Sequence, residues 1–255
     1  MIRMDPPGTF CQTAAVCDMI DRNARSFVDV GCGNGSLSKA LCDRGMEGVG
    51  VDLSSEAVRL ARAVLAEQIA VGRYDTMVAD VRQARIGPCD VAVSMMVAEH
   101  VEDDQEFVRA VAQCVRPGGQ VIIGVPGRRS HWGFEDEVSG HLRRYERPEL
   151  ERLLRSCGLE HVVVWSVAVP VANLLYRIGN LLVRRSAGAE LKNQASLEQT
   201  LSSGIREVPW KTVFPRWCRL LLNRRALYPL FVLQRLFYGS SYGITILASG
   251  RRPEH

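Results

Sequence analysis

From about residue 26 to 125 the chain alternates short β-branched apolar runs with longer stretches of helical period. "SFVDV" (26–30) is followed by helical spacing over 36–43, and "GVGVD" (48–52) by another such stretch over 55–69. "DTMVAD" (75–80), "DVAVSM" (90–95) and "QVIIGV" (120–125) supply three further strands, with a helix predicted over 103–115 between the last two. This alternation predicts right-handed βαβ units, and so a parallel sheet covered by helices on both faces. In "RPELERLLRSCG", Pro148 suits a first helical turn and Gly158 a C-terminal cap. "HVVVWSVAV" (161–169) and "YGITILASG" (242–250) read as the last two of seven strands.

Those two strands are separated by about seventy residues, too many for a hairpin loop. The expected division is a core of 1–170 with 241–255, and a helical insertion over 171–240. The insertion holds eleven basic residues against Glu190, Glu198 and Glu207, a balance of +8, which leaves −4 for the rest of a chain whose net charge is +4. In "ANLLYRIGNLLVRR" the apolar positions 174, 175, 178, 181 and 182 share one helical face. "WCRLLLNRRALYPLFVLQRLFY" is apolar and aromatic, interrupted at Pro229. Two compatible readings compete. The insertion is a cap over a binding pocket, its apolar face docked on the sheet, or its arginine-edged apolar faces lie on an anionic membrane surface and admit a lipid-like ligand.

At 255 residues and 47% hydrophobic composition the chain can bury a full core. "MIRMDPPGTF" has no apolar stretch of signal-peptide length, and no window reaches the roughly 18 apolar residues of a membrane span. The expected location is the cytoplasm, with weak peripheral membrane contact through 171–240. Eight scattered cysteines without a C-x-x-C pair argue against a zinc or disulfide framework. The net charge is too mild to announce nucleic acid.

The chemistry concentrates in "VDVGCGNGSLSKAL" (28–41). Gly31, Gly33 and Gly35 permit a sharp turn off the first strand and a close approach of ligand to backbone. The G-x-G-x-G spacing falls short of the G-x-G-x-x-G of dinucleotide sites. Asp52, ending the second strand, is placed to accept hydrogen bonds from both ribose hydroxyls, and Asp80, after the third, to take an exocyclic amine. With Asp29 below the glycines, three carboxylates suit a cationic nucleoside and repel a dinucleotide. Asp29 also has the plainer reading of bracing nearby backbone. Cys32 has no matching base nearby in sequence and reads as packing rather than as a nucleophile.

In order from about 26 to 165 the chain resembles the class I S-adenosylmethionine-dependent methyltransferases, which implies a Rossmann-like, doubly wound, seven-stranded, mostly parallel sheet. "VDVGCGNG", "VGVDLS", "VADV", "CDVAVSMMVAEHVED" and "VRPGGQVIIGVP" carry the resemblance. "SMMVAEHV" and "SGHLRRYERPEL" are similar to the small-molecule branch that includes the ubiquinone-biosynthesis O-methyltransferases. By that resemblance Asp29, Gly31 and Gly33 border the methionine part of S-adenosylmethionine, Asp52 its ribose, Asp80 and Val81 its adenine, and Met95 the substrate side. Cys32, Gly35 and Leu53 lie in the same runs and complete the expected cofactor set.

If the acceptor must lose a proton, His141 and His100 are the candidate bases. The plainer readings are a surface loop histidine for His141 and a helix brace for His100. Glu99 beside His100 hints at a metal. Some relatives in that branch carry an acid three positions earlier, where this chain has Met96, so no divalent ion is expected. Arg128, Arg129, Arg143 and Arg144 are candidates for clamping an anionic acceptor group. The function expected is methylation of a small or lipid-like metabolite, most naturally on oxygen. Alternatives are a nucleic-acid methyltransferase, disfavoured because "SMMV" stands where an N/D-P-P-Y/F tetrad belongs, and a cofactor-binding protein without methyl transfer.

Overall fold

The chain begins with β1 (Ile2–Arg3) and α1 (Pro7–Met19), then alternates through β2 (Ser26–Val30), α2 (Ser36–Cys42), β3 (Glu47–Asp52), α3 (Ser55–Val64), α4 (Ala66–Ala70) and β4 (Tyr74–Val78). There follow β5 (Cys89–Met95), α5 (Asp104–Gln113), β6 (Val115–Pro126), α6 (Phe134–Ser139), α7 (Arg147–Ser156) and β7 (Glu160–Val167). The insertion contributes α8 (Val171–Lys192), β8 (Val213–Phe214) and α9 (Tyr228–Arg235) before the last strand, β9 (Thr245–Arg251). This computed structural model describes residues 1–192 and 208–254. Glu198, Arg206 and Glu207 of the insertion lie outside the described residues, as do the side chains of Arg177, Glu190 and Lys192.

Seven strands form one sheet in the order β4-β3-β2-β5-β6-β9-β7, parallel except that β9 runs antiparallel between β6 and β7. This is the helix-covered parallel sheet that the periodicity predicts, in the α/β, Rossmann-like arrangement that the resemblance implies. The β5 residues Val91, Ala92 and Val93 are all buried, because helices cover both faces of the sheet. One face packs Ala92 and Ile123 against Val108, Val111, Leu150 and Leu154; the other packs Val91 and Ile122 against Phe27, Leu41 and Leu65. Strand β2 has β3 on one side and β5 on the other, so the order reverses there and a crevice opens at the carboxyl ends of these strands.

Local differences from the sequence reading have physical causes. The helix expected over 55–69 divides at Leu65, which leaves helical backbone and is fully buried against Gly35. Helix α1 escapes periodicity because Ala14, Ala15, Val16 and Cys17 are buried consecutively rather than along one stripe. The insertion is no separate body: Val171, Leu227 and Phe231 share a small core with Cys11 and Ala14 of α1. The apolar stripe expected to dock on the sheet turns outward instead, with Leu174, Leu175, Ile178 and Leu181 exposed and only Leu182 packed inward. Helix α8 uses its other face, where Asn180 accepts a hydrogen bond from the backbone of Glu135 and Val183 packs on Val138. Periodicity finds an apolar face but cannot say which face the neighbouring helix meets.

Arg147 fastens the insertion where it returns to the sheet, donating to the backbone carbonyls of Val164 (2.6 Å), Ser240 (2.9 Å) and Tyr238 (3.0 Å). Arg147→Ala leaves three carbonyls without this donor and should lower unfolding stability by on the order of 2–3 kcal/mol in urea titration. An unchanged transition midpoint would show that the fastening contributes nothing.

Candidate active site

The turn after β2 is built from three glycines that are glycine for three different reasons. All have positive φ, at +78° for Gly31, +52° for Gly33 and +79° for Gly35. A Cβ on Gly31 would lie 2.2 Å from Val97, and one on Gly35 would lie 2.7 Å from Leu65 and 3.0 Å from the backbone of Ala61. Gly35 therefore serves the packing of α3. Around Gly33 a Cβ would meet nothing within 4 Å, so the space over the middle of the turn is open.

Asp52 ends β3 beside this turn. Its two oxygens accept hydrogen bonds from the backbone N–H of Gly33 (2.9 Å) and of Ser54 (2.8 Å). The carboxylate is thereby fixed in orientation while lone pairs remain for a ligand. Leu53, next to it, is an exposed large apolar side chain. Asp29 lies beneath the turn, buried, accepting from the Ser38 hydroxyl at 2.6 Å, and burial raises its carboxyl to about 6 against the pull of that bond. Its side chain thereby ties β2 to α2. Cys32 is also buried, its sulfur close to Gly50, and burial pushes its thiol well above the usual range, so what it offers a ligand is backbone.

Asp80 is gripped by Arg82 through contacts of 2.6, 3.0 and 3.1 Å, and this hydrogen bonding holds its carboxyl below the usual range. The adenine role assigned to it thus competes with an arginine. Val81 is buried in the core. Met95 ends β5 with its thioether in the space left by Gly124.

The two predicted histidines come together. Beyond β5 the chain passes Met96, in left-handed backbone at φ 59°, and Val97, which packs on Gly31, into a 3-10 turn holding Glu99 and His100. The loop after α6 brings His141 alongside, its ring centroid 4.8 Å from that of His100. Nδ1 of His141 lies 2.7 Å from Asp136 Oδ1, and Nε2 faces Glu99 at 3.9 Å. His100 Nδ1 meets the carbonyl of Gly140 at 3.3 Å. His141 is therefore no surface histidine, and His100 meets the loop after α6 rather than the following helix.

Asp136, which the sequence reading missed, is fully buried. Both its oxygens receive Arg144, at 2.8 and 3.0 Å, and Oδ2 also accepts the Gly133 N–H at 2.8 Å. Burial opposes its ionisation, but the bonds from His141 and Arg144 prevail and hold it below the usual carboxylate range. Arg144, considered as an anion clamp, is spent on Asp136 and on the carbonyl of Gly127, while Arg143 is bound to Asp104 and Glu102 and Arg129 to Glu149.

Glu99 is the opposite case. It is fully buried, neither carboxyl oxygen has a hydrogen-bond partner among the described residues, and burial raises it to about 7 despite the attraction of His141. Burial also lowers His100 to about 4. Donor atoms of Glu99, His100 and His141 lie within 4.8 Å of one another, a set of two imidazoles and one carboxylate that could hold a divalent cation. Met96 offers no hard oxygen ligand, but His141 brings a third donor beside Glu99 and His100. A cavity of about 690 Å³ opens at the amino ends of β2 to β5, beside Phe27, Glu47 and Arg73, and contains none of the predicted site residues.

Residues 12–164 match the family model for the methyltransferase domain. The chain belongs to that family. A ubiquinone biosynthesis O-methyltransferase of Aromatoleum aromaticum is 32% identical over 186 residues, 64% of this chain and 77% of its own. Four further relatives of that name match over less than half of their own length, that of Cupriavidus pinatubonensis at 37% identity over 42%. Phosphoethanolamine N-methyltransferase 2 of Haemonchus contortus, solved with S-adenosyl-L-methionine, shares the fold at a TM-score of 0.59 and 17% identity, covering 98% of this chain and 54% of that one. The [4+2]-cyclase SpnF does so at 0.61 and 15%, covering 96% and 81%. The protein is an S-adenosylmethionine-dependent methyltransferase, and its residues fit that cofactor: open space over Gly33, an oriented Asp52 and an exposed Leu53 at the carboxyl edge of the sheet.

Asp52→Ala should weaken S-adenosylmethionine binding by on the order of 2–4 kcal/mol, the loss of two charge-assisted hydrogen bonds. Calorimetry on the folded variant checks this, and unchanged affinity would remove Asp52 from the site.

Proposed function

We propose that the enzyme methylates a hydroxyl oxygen of a small or lipid-like metabolite, with His141 taking the proton. The observation that carries this reading is the pairing of His141 Nδ1 with the ionised Asp136. A carboxylate at Nδ1 favours the tautomer with its proton there and leaves Nε2 as the basic nitrogen. That nitrogen faces Glu99, a buried carboxyl in need of a partner, so an acceptor hydroxyl within reach of both gives its proton to one and is oriented by the other. When bound, S-adenosylmethionine supplies a methyl group on a sulfonium, and the protein must hold the acceptor in line and exclude water.

The relatives named as ubiquinone biosynthesis O-methyltransferases support an oxygen acceptor. "SMMV" at the end of β5 speaks against a nucleic-acid substrate. Helix α8 packs on α6 and on the loop after β6, where Tyr176 donates to the carbonyl of His131, which supports the insertion as a cap on the acceptor side.

A second reading places a divalent cation among Glu99, His100 and His141. It is favoured by the outer contacts of both imidazoles, to Asp136 and to the Gly140 carbonyl, which are of the kind that orient metal-binding histidines.

Incubating metabolite extracts with enzyme and deuteromethyl cofactor, followed by mass spectrometry, should reveal a labelled methoxyl product. Label on nitrogen or carbon, or no transfer, would reject the reading. With the acceptor so found, His141→Ala should lower turnover by about a hundredfold or more at nearly intact cofactor affinity. The base reading expects turnover to survive exhaustive chelation, whereas the cation reading expects its loss and its recovery on adding Mg²⁺, Mn²⁺ or Zn²⁺.

A further inference from the structure

More than half of the large apolar side chains that stand exposed among the described residues lie between 171 and 240, about a quarter of the chain. On α8, Leu174 and Ile178 are 72% and 53% exposed, with Leu181 beside them. Farther along, Trp217, Leu220 and Leu236 are exposed too, the leucines at 79% and 80%. Isolated exposed leucines need no explanation, but this concentration does.

The charges carried by these segments are mostly basic, with Arg235 and Lys211 paired to Asp18 and Glu135 of neighbouring elements. No Asp or Glu occurs from 208 to 240, while Arg216, Arg219, Arg224 and Arg225 are all exposed there, and Arg184 and Arg185 are exposed at the far end of α8. In "RWCRLLL" (216–222) exposed arginines alternate with exposed Trp217, Leu220 and Leu221, while Cys218 points inward and is buried. The segment thus presents apolar and aromatic side chains edged by guanidinium groups.

We infer that the outer face of α8 together with residues 216–236 docks on an anionic phospholipid surface. Apolar side chains enter the interface between headgroups and acyl chains, and the arginines meet lipid phosphates. A second copy of the chain fits less well, since it would bring arginine against arginine. A polyanion without an apolar phase would leave the leucines and tryptophan in water. No helix among the described residues is long and apolar enough to cross a membrane, so the contact is peripheral.

The docking face and the active site share one helix. The inner side of α8 holds Asn180 on the backbone of Glu135, and its Tyr176 ring lies 5.7 Å from the Arg144 guanidinium that secures Asp136. Delivery of a lipid-borne acceptor across this helix rests on the proposed function; the docking itself does not.

The test is sedimentation of the full chain with vesicles of phosphatidylcholine containing phosphatidylglycerol, against vesicles of phosphatidylcholine alone. The inference expects pelleting with the anionic vesicles at low salt and its decline towards about 0.5 M salt, where the Debye length is roughly 4 Å. It further expects at least a tenfold weaker partition for Leu220→Ser/Leu221→Ser and for Arg216→Gln/Arg219→Gln, in variants that keep the circular dichroism and cofactor affinity of the parent. Absence of pelleting, binding indifferent to lipid charge, or binding unaltered in both variants would overturn it. A concentration-dependent doubling of mass without lipid binding would assign the face to a second copy instead. Because no acceptor or turnover enters the assay, its failure is separate from failure of the methylation reading.

Discussion

Burial of the Asp136 carboxylate is tolerable only because Arg144 is buried with it, and the site follows from that pair. An isolated ion there would cost several kcal/mol; paired in two contacts and supplied with a backbone N–H, it stays ionised. Its remaining capacity goes to His141, which fixes the ring and directs Nε2 at Glu99. The His141 backbone N–H also bonds the Asp136 carbonyl, so the loop closes on itself at Gly140, which adopts φ 73°. One carboxyl is thus held below the usual carboxylate range while burial without such partners raises a second, Glu99, to about 7 within the same few ångströms.

The cofactor side obeys a different constraint, imposed by the sheet. The strand order reverses at β2, so the turn after β2 and the ends of β3 and β5 converge on one crevice. The glycine turn must pass between Val97 on one side and α3 on the other, which fixes Gly31 and Gly35 by packing and leaves Gly33 as the open position. Val97 stands two residues before Glu99, so the chain that packs on the glycine turn also carries the acidic member of the proposed acceptor site. The two halves of the site are joined through covalent neighbours rather than through a flexible hinge.

Much of this was legible in the sequence because it is local. Strand and helix periods, the glycines, Asp52 and the two histidines all announce themselves within a few residues of chain. Asp136 did not, because its importance comes from a contact five residues away across an irregular loop and from burial that no period encodes. Arg144 looked like any loop arginine for the same reason. Of the two readings of the α8 stripe, docking on the sheet does not occur, because the fold places α6 against the opposite side of the helix, and the stripe faces outward. Asp29 accepts the Ser38 hydroxyl and Gly35 leaves room for α3, contacts that spacing alone does not reveal.

The most direct test of the central claim is the ¹⁵N spectrum of the His141 imidazole in chelator-treated enzyme without acceptor. The Asp136 pairing predicts a ring protonated at Nδ1 with Nε2 bare, and loss of that preference in Asp136→Asn. A proton resident on Nε2 with Nδ1 bare would contradict the account, because the nitrogen directed at Glu99 would then have no lone pair to offer an acceptor.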